Sequence, residues 1–106
     1  MSNKIYTVTT VCNTRSHPVW GNNQIDTRCW GYYLTLEEAA SVAESDKCGL
    51  NEAGYWPWIV IEALQPGIGS VADCEEYWYL YSDENRAFVP CLKPEWAQNV
   101  IGWGIG

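Results

Sequence analysis

Arg28-Cys29-Trp30-Gly31-Tyr32-Tyr33-Leu34-Thr35-Leu36-Glu37-Glu38-Ala39-Ala40 decides the reading of this chain. The first half alternates as a strand does, which predicts one shared face for Arg28, Trp30 and Tyr32. The second half opens a helix. Thr35 stands three residues before Glu38, the spacing of a capping box. Glu37 and Glu38 suit the positive end of the helix dipole. The helix is expected over about residues 36–46, with an apolar stripe of Leu36, Ala39, Ala40 and Ala43. Cys48-Gly49 then stops it, with Lys47 near its negative end.

Working outward, residues 5–12 are rich in β-branched side chains and predict the first strand. Asn13 to Asn23 carries turn residues and Trp20, and reads as a loop or wide hairpin. Residues 25–33 are the second strand, where Gly31 lets another element come close, most simply the helix that follows. Trp58-Ile-Val-Ile-Glu-Ala-Leu64 is the most apolar strand and is expected at the centre. Ile59, Ile61 and Ala63 should face the helix, and Trp58, Val60 and Glu62 the other way. Residues 75–81 and 86–91 read as a hairpin across the polar turn 82–85. Pro94-Glu95 opens a short C-terminal helix. The fold class is α+β: a mostly antiparallel five-stranded sheet in ββαβββ order, with the main helix on one face. The chain is a single domain of 106 residues.

Composition narrows the function. The net charge is −7 with six cations, which argues against DNA or RNA binding through a basic stripe. A small anion needs only one or two arginines. Five cysteines without a Cys-x-x-Cys pair, and no signal-like apolar start, read as reduced thiols in a cytoplasm. Their spacings do not suit zinc, so neither metal nor cofactor is expected. His17 beside Pro18 is a poor partner for a nucleophile. Glu75 and Glu76 are strand neighbours pointing to opposite faces, and Glu37 and Glu38 are explained by the helix start. No pair of carboxylates is marked for catalysis, and no phosphate-binding glycine loop occurs.

Seven tryptophans and seven tyrosines stand against one phenylalanine. Trp and Tyr favour sites apolar on one side and wet on the other. The candidate ligand site is therefore an aromatic face with cations: Arg28, Trp30, Tyr32, Trp56, Trp58 and Tyr79, with Arg86 as a second cation. Aromatic faces stack flat rings and arginine forks grip phosphate. The alternative for Arg28 is packing on its own aromatic neighbours. A face this apolar needs a cover. Together with the apolar end Ile-Gly-Trp-Gly-Ile-Gly106, it predicts a homo-oligomer, most simply a two-fold dimer.

The blocks at 28–33, 36–39, 55–62, 66–67, 78–81, 90–96 and 101–106, taken in order, resemble a recurring pattern in small phage and prophage proteins. Where that pattern often has Tyr-x-Tyr before Val-Ile-Glu, this chain has Trp56 and Trp58. Proteins of this style are similar to viral anti-defence sponges. The resemblance implies sequestration, without cleavage, of a small nucleotide signal such as a cyclic ADP-ribose isomer or a cyclic oligonucleotide, in the infected host's cytoplasm. Two alternatives stand: an inhibitor that blocks a host defence enzyme by surface contact, and a small nuclease or phosphodiesterase. The second lacks a credible general base.

Overall fold

A computed structural model describes residues 4–14, 24–45, 49–51, 56–64 and 75–97. Five strands form one sheet: β1 (Ile5–Thr14), β2 (Gln24–Tyr33), β3 (Trp58–Leu64), β4 (Glu75–Ser82) and β5 (Ala87–Cys91). Their order is β2-β1-β3-β4-β5, and every neighbouring pair is antiparallel. The apolar β3 is central, as its composition predicts. The fold is α+β. Among the described residues no helix is long and apolar enough to cross a membrane.

Among the described residues the single α-helix, α1 (Leu36–Glu44), follows β2 directly. Thr35 caps it: its hydroxyl accepts the Glu38 N–H at 3.2 Å and donates to Glu38 Oε1 at 3.1 Å. The helix ends earlier than its pattern suggests. The Ser45 hydroxyl donates to the Ser41 carbonyl at 2.7 Å and ties down the last turn, a local bond that competes with further helix. Ala39, Val42 and Ala43 are its buried residues. Val42 lies outside the stripe read from the sequence, whereas Leu36 and Ala40 are only partly buried.

α1 packs on the face carrying Val8, Ile59, Ile61, Tyr79 and Phe88, with Tyr6, Trp30, Tyr33, Tyr77 and Tyr81 around them. Burying one such apolar side chain contributes about 1.5–3 kcal/mol. The second face is not bare. Thr7, Thr9, Val11, Val60, Glu62, Leu64 and Trp78 are all buried there. Part of the cover is a 3-10 turn, Glu95–Ala97, found where a short helix was expected. Its Trp96 and Ala97 pack on Val11, Val60, Trp58 and Trp78. An uncovered face is thus no longer a reason for self-association. The loop with Trp20, the ends of the polar links and the Ile-Gly-Trp-Gly-Ile-Gly106 segment lie outside the described residues.

The ladder between β1 and β2 slips by one residue. Val8 pairs with Gly31, but Thr9 pairs with Cys29, which leaves Trp30 as the extra residue of a β-bulge. Gly31 has φ +139°, and nothing lies within 4 Å of the position a Cβ would take. Its role is the backbone angle of the bulge and not, as the sequence suggested, a close approach of the helix. Gly31→Ala should therefore cost about 1–3 kcal/mol through backbone strain alone. A thermal melt reads this as a clear drop in Tm. An unchanged Tm would mean the bulge relaxes freely.

Candidate functional site

The bulge redistributes the residues expected to form one site. Arg28 pairs with Thr10, which pairs with Ile59 on the α1 face. Trp30 packs against the same α1-side cluster. Tyr32 pairs with Thr7, which pairs with Glu62 on the opposite face. A single extra residue thus breaks strict alternation, and Tyr32 is separated from Arg28 and Trp30 by the thickness of the sheet.

The other candidates scatter too. Trp58 pairs with Val11 and Leu80 on the face away from α1. Tyr79 is opposite Ile59, is 6% exposed and belongs to the α1-side core. Trp56 is buried ahead of β3, held by its N–H to the Asn51 carbonyl at 3.0 Å and by Asn51 Nδ2 to its own carbonyl at 2.8 Å. Arg86 is exposed in the β4–β5 turn at φ 51°. That turn stands three to four strand spacings from β2, about 14–19 Å, so Arg86 does not join Arg28.

What does come together is Arg28, Trp30 and Thr10. The Arg28 guanidinium carbon lies 4.2 Å from the Trp30 ring centroid, a cation–π distance. Trp30 Nε1 donates to Thr10 Oγ1 at 2.8 Å, and the same hydroxyl donates to the Arg28 carbonyl at 3.3 Å. Thr10 therefore fixes both the indole and the backbone beneath it. Arg28 itself is exposed. The stack fits the packing alternative for Arg28 and equally presents a positioned guanidinium to solvent. Sequence reading missed Thr10. The signal was Gly31 inside a strand, which often marks a bulge.

On the opposite face, Trp58, Trp78 and Trp96 meet edge to face, with centroids 5.8–6.4 Å apart. They pack against one another, and Trp78 also lines the cleft beside β4 and β5 described below. Beside them Trp78 Nε1 donates to Glu76 Oε1 at 2.9 Å, and Lys93 Nζ lies 3.0 Å from the same oxygen. Glu76 stands opposite the fully buried Glu62. Two Glu side chains thus meet across the ladder, and Lys93 pairs with the one at the margin, Glu76.

Two clefts of ≈320 Å³ flank the sheet. One lies where β5 ends beside β4, between Tyr77, Tyr79, Pro90 and Lys93. The other is walled by Tyr33, Glu37, Glu38 and Val42, and its carboxylates disfavour anions. Neither is lined by Arg28. Burial pushes the Cys12 thiol up, with the Asp26 charge adding to it, and burial does the same to Cys91. That is the wrong direction for a nucleophile. Among the described residues no three His, Cys, Asp or Glu side chains group as metal ligands. Comparison with family models, curated proteins and solved structures finds no match to this chain.

The Tyr77 hydroxyl donates to Glu75, and this bond, with burial and the Glu75 charge, pushes its pKa up to about 12. The folded state holds this proton more tightly than the unfolded one. The stabilisation is full below the ordinary tyrosine value of 10.0 and is lost as the pH rises through about 12. An alkaline ultraviolet titration should show a late component that shrinks by one tyrosine in Tyr77→Phe and shifts back toward 10.0 for that residue in Glu75→Gln, while Tyr79, itself raised by burial, stays late in both. A late component that survives Glu75→Gln unchanged would refute this cause.

Proposed function

We propose that this chain is a binding protein without catalysis, which captures a small phosphate-bearing ring compound of the cyclic-nucleotide type through Arg28 and Trp30. The observation that carries the reading is the exposed Arg28 guanidinium held on the Trp30 ring at 4.2 Å. A guanidinium steadied in this way loses less freedom when it grips a phosphate. The Trp30–Thr10 hydrogen bond steadies the indole in turn. The resemblance to small phage proteins supports the finer form: a viral sponge for a nucleotide immune signal, acting in the infected host's cytoplasm. Trp58 and Tyr79 take no part in this narrower site, because the first sits across the sheet and the second is in the core.

A second reading is an inhibitor acting by surface contact with a host protein. Its support is the pair of large apolar side chains left outside at the end of β2, Tyr32 at 62% and Leu34 at 70% exposure. Aromatic residues are enriched in protein–protein contacts.

Calorimetry with a panel of cyclic nucleotides separates these readings. Losing one charge-assisted hydrogen bond costs about 1.5–3 kcal/mol, so Arg28→Ala should weaken binding tenfold or more with little change in Tm. Arg28→Lys should weaken it as well, since a point charge cannot reproduce the fork. No heat from any member of the panel, or an affinity indifferent to Arg28 while Tm falls, would overturn the proposal and leave Arg28 as a packing residue.

A further inference from the structure

β4 outruns the strand beside it. It pairs with β3 from Leu80, opposite Trp58, to Glu75, opposite Ala63. On its other side the ladder to β5 ends where Trp78 meets Cys91. Leu92, Lys93 and Pro94 belong to no ladder. Glu75, Glu76 and Tyr77 thus have β3 on one side and, among the described residues, no strand on the other. A cleft of ≈320 Å³ opens at this step.

Alternation fixes where the main-chain groups point. The Tyr81 N–H donates to the Pro57 carbonyl at 2.9 Å, on the β3 side. Pro90 stands opposite Tyr79 and has no N–H to give it. Successive residues of a strand turn their N–H and C=O to opposite neighbours. Tyr77, Tyr79 and Tyr81 therefore bond toward β3, and Glu76, Trp78 and Leu80 toward β5. At Glu76 the partner strand has ended, so its N–H and C=O point into the step. In an extended backbone these two groups lie side by side, donor next to acceptor, as they do where antiparallel residues exchange both bonds. The Glu76 carboxylate is not needed for this, being engaged by Trp78 Nε1 and Lys93.

The walls suit a flat, uncharged occupant. Tyr77 stands opposite Ile61 on the α1 face, and Trp78 opposite Val60 on the other. Both line the cleft, together with Pro90, Cys91, Leu92 and Lys93. It is therefore cut into the plane of the sheet, with an aromatic residue from each face. Leu92, 91% exposed, is an apolar rim left for an occupant to cover. Lys93 and Glu76 offset each other's charge. The volume is at the small end for small-molecule sites. A peptide adding as a strand needs a row of main-chain pairs. Among the described residues the step offers one, at Glu76, and the next, at Trp78, is taken by Cys91. A flat ring needs only one.

We propose that this cleft binds a neutral planar heterocycle that carries a donor beside an acceptor, as adenine does. The Glu76 N–H donates to a ring nitrogen, and the Glu76 carbonyl accepts from the neighbouring exocyclic amine. The cleft lies three strand spacings from β2, about 14 Å. The inference therefore rests neither on Arg28 nor on the function proposed for it.

Nuclear magnetic resonance on the isotope-labelled full chain tests it, with adenosine as the probe. The amides of Glu76, Cys91, Leu92 and Lys93 should shift and saturate at millimolar nucleoside. N6,N6-dimethyladenosine keeps the ring and loses the donor, which leaves the Glu76 carbonyl unpaired, so it should bind tenfold or more weakly. Cys91→Phe fills the cleft and should abolish the shifts, with circular dichroism to check the fold. Should that variant fail to fold, the two nucleosides on the wild type decide. A Glu76 amide that does not move, equal affinity for both nucleosides, or undiminished binding by folded Cys91→Phe would each overturn the site. Shifts confined to Arg28 and its neighbours would overturn it too. An extended peptide, acetyl-Val-Thr-Val-amide, that moves the Glu76 amide where adenosine does not would overturn it in favour of strand addition.

Discussion

One extra residue in β2 governs how this molecule presents itself. The ladder to β1 runs in register from Tyr33 to Gly31, skips Trp30, and resumes at Cys29. A register change of one residue moves every later side chain to the other face. Arg28 and Asp26 are thereby turned to the side of α1, and Trp30 reaches back across β1 to hydrogen-bond Thr10. Tyr32 and Tyr33, before the slip counted from the helix, keep the regular pattern. Without the bulge the cation and its aromatic partner would lie among Thr7, Glu62 and Trp58. With it they form a separate stack at the edge.

The two faces are filled by different chemistry. Behind α1 the sheet is lined by Val8, Ile59 and Ile61 together with the buried rings of Tyr79 and Phe88, with further tyrosines at the margin, and the alanines of the helix pack onto them. The other face holds three tryptophans, buried threonines and the buried Glu62 opposite Glu76. The Thr7 and Thr9 hydroxyls are buried there without a hydrogen-bond partner, a burden on stability that an apolar residue would not bring. With both faces occupied, the proposed ligand contact falls at the rim of the sheet. The stack of Arg28 on Trp30, on the edge strand β2, is such a feature.

Much of the architecture was legible. Trp58 to Leu64 alternates cleanly, and the division of Ile59, Ile61 and Ala63 from Trp58, Val60 and Glu62 matches the two clusters. Thr35 and Glu38 mark the helix start by chemistry that acts locally. The site was less legible, for physical reasons. β4 reads Glu-Glu-Tyr-Trp-Tyr-Leu-Tyr, and when both faces are covered no polar alternation shows which aromatic goes where. Tyr79 therefore looked available and is in the core. In β2 the alternation rule fails at the bulge, and its one signal, Gly31 inside the strand, is equally a mark of close backbone approach. Arg86 looked close to Arg28 only because strand order cannot be read from a sequence.

The central claim is that the bulge places Arg28 and Trp30 on the α1 side and Tyr32 on the other. Nuclear Overhauser contacts across β1 and β2 test it most directly. The account predicts that the Trp30 indole N–H contacts Thr10 and the cluster beneath α1, that Thr9 faces Cys29, and that the Tyr32 ring lies beside Thr7. Contacts of Thr9 with Trp30 in an unbroken ladder, with the Trp30 and Tyr32 rings on one face, would contradict it.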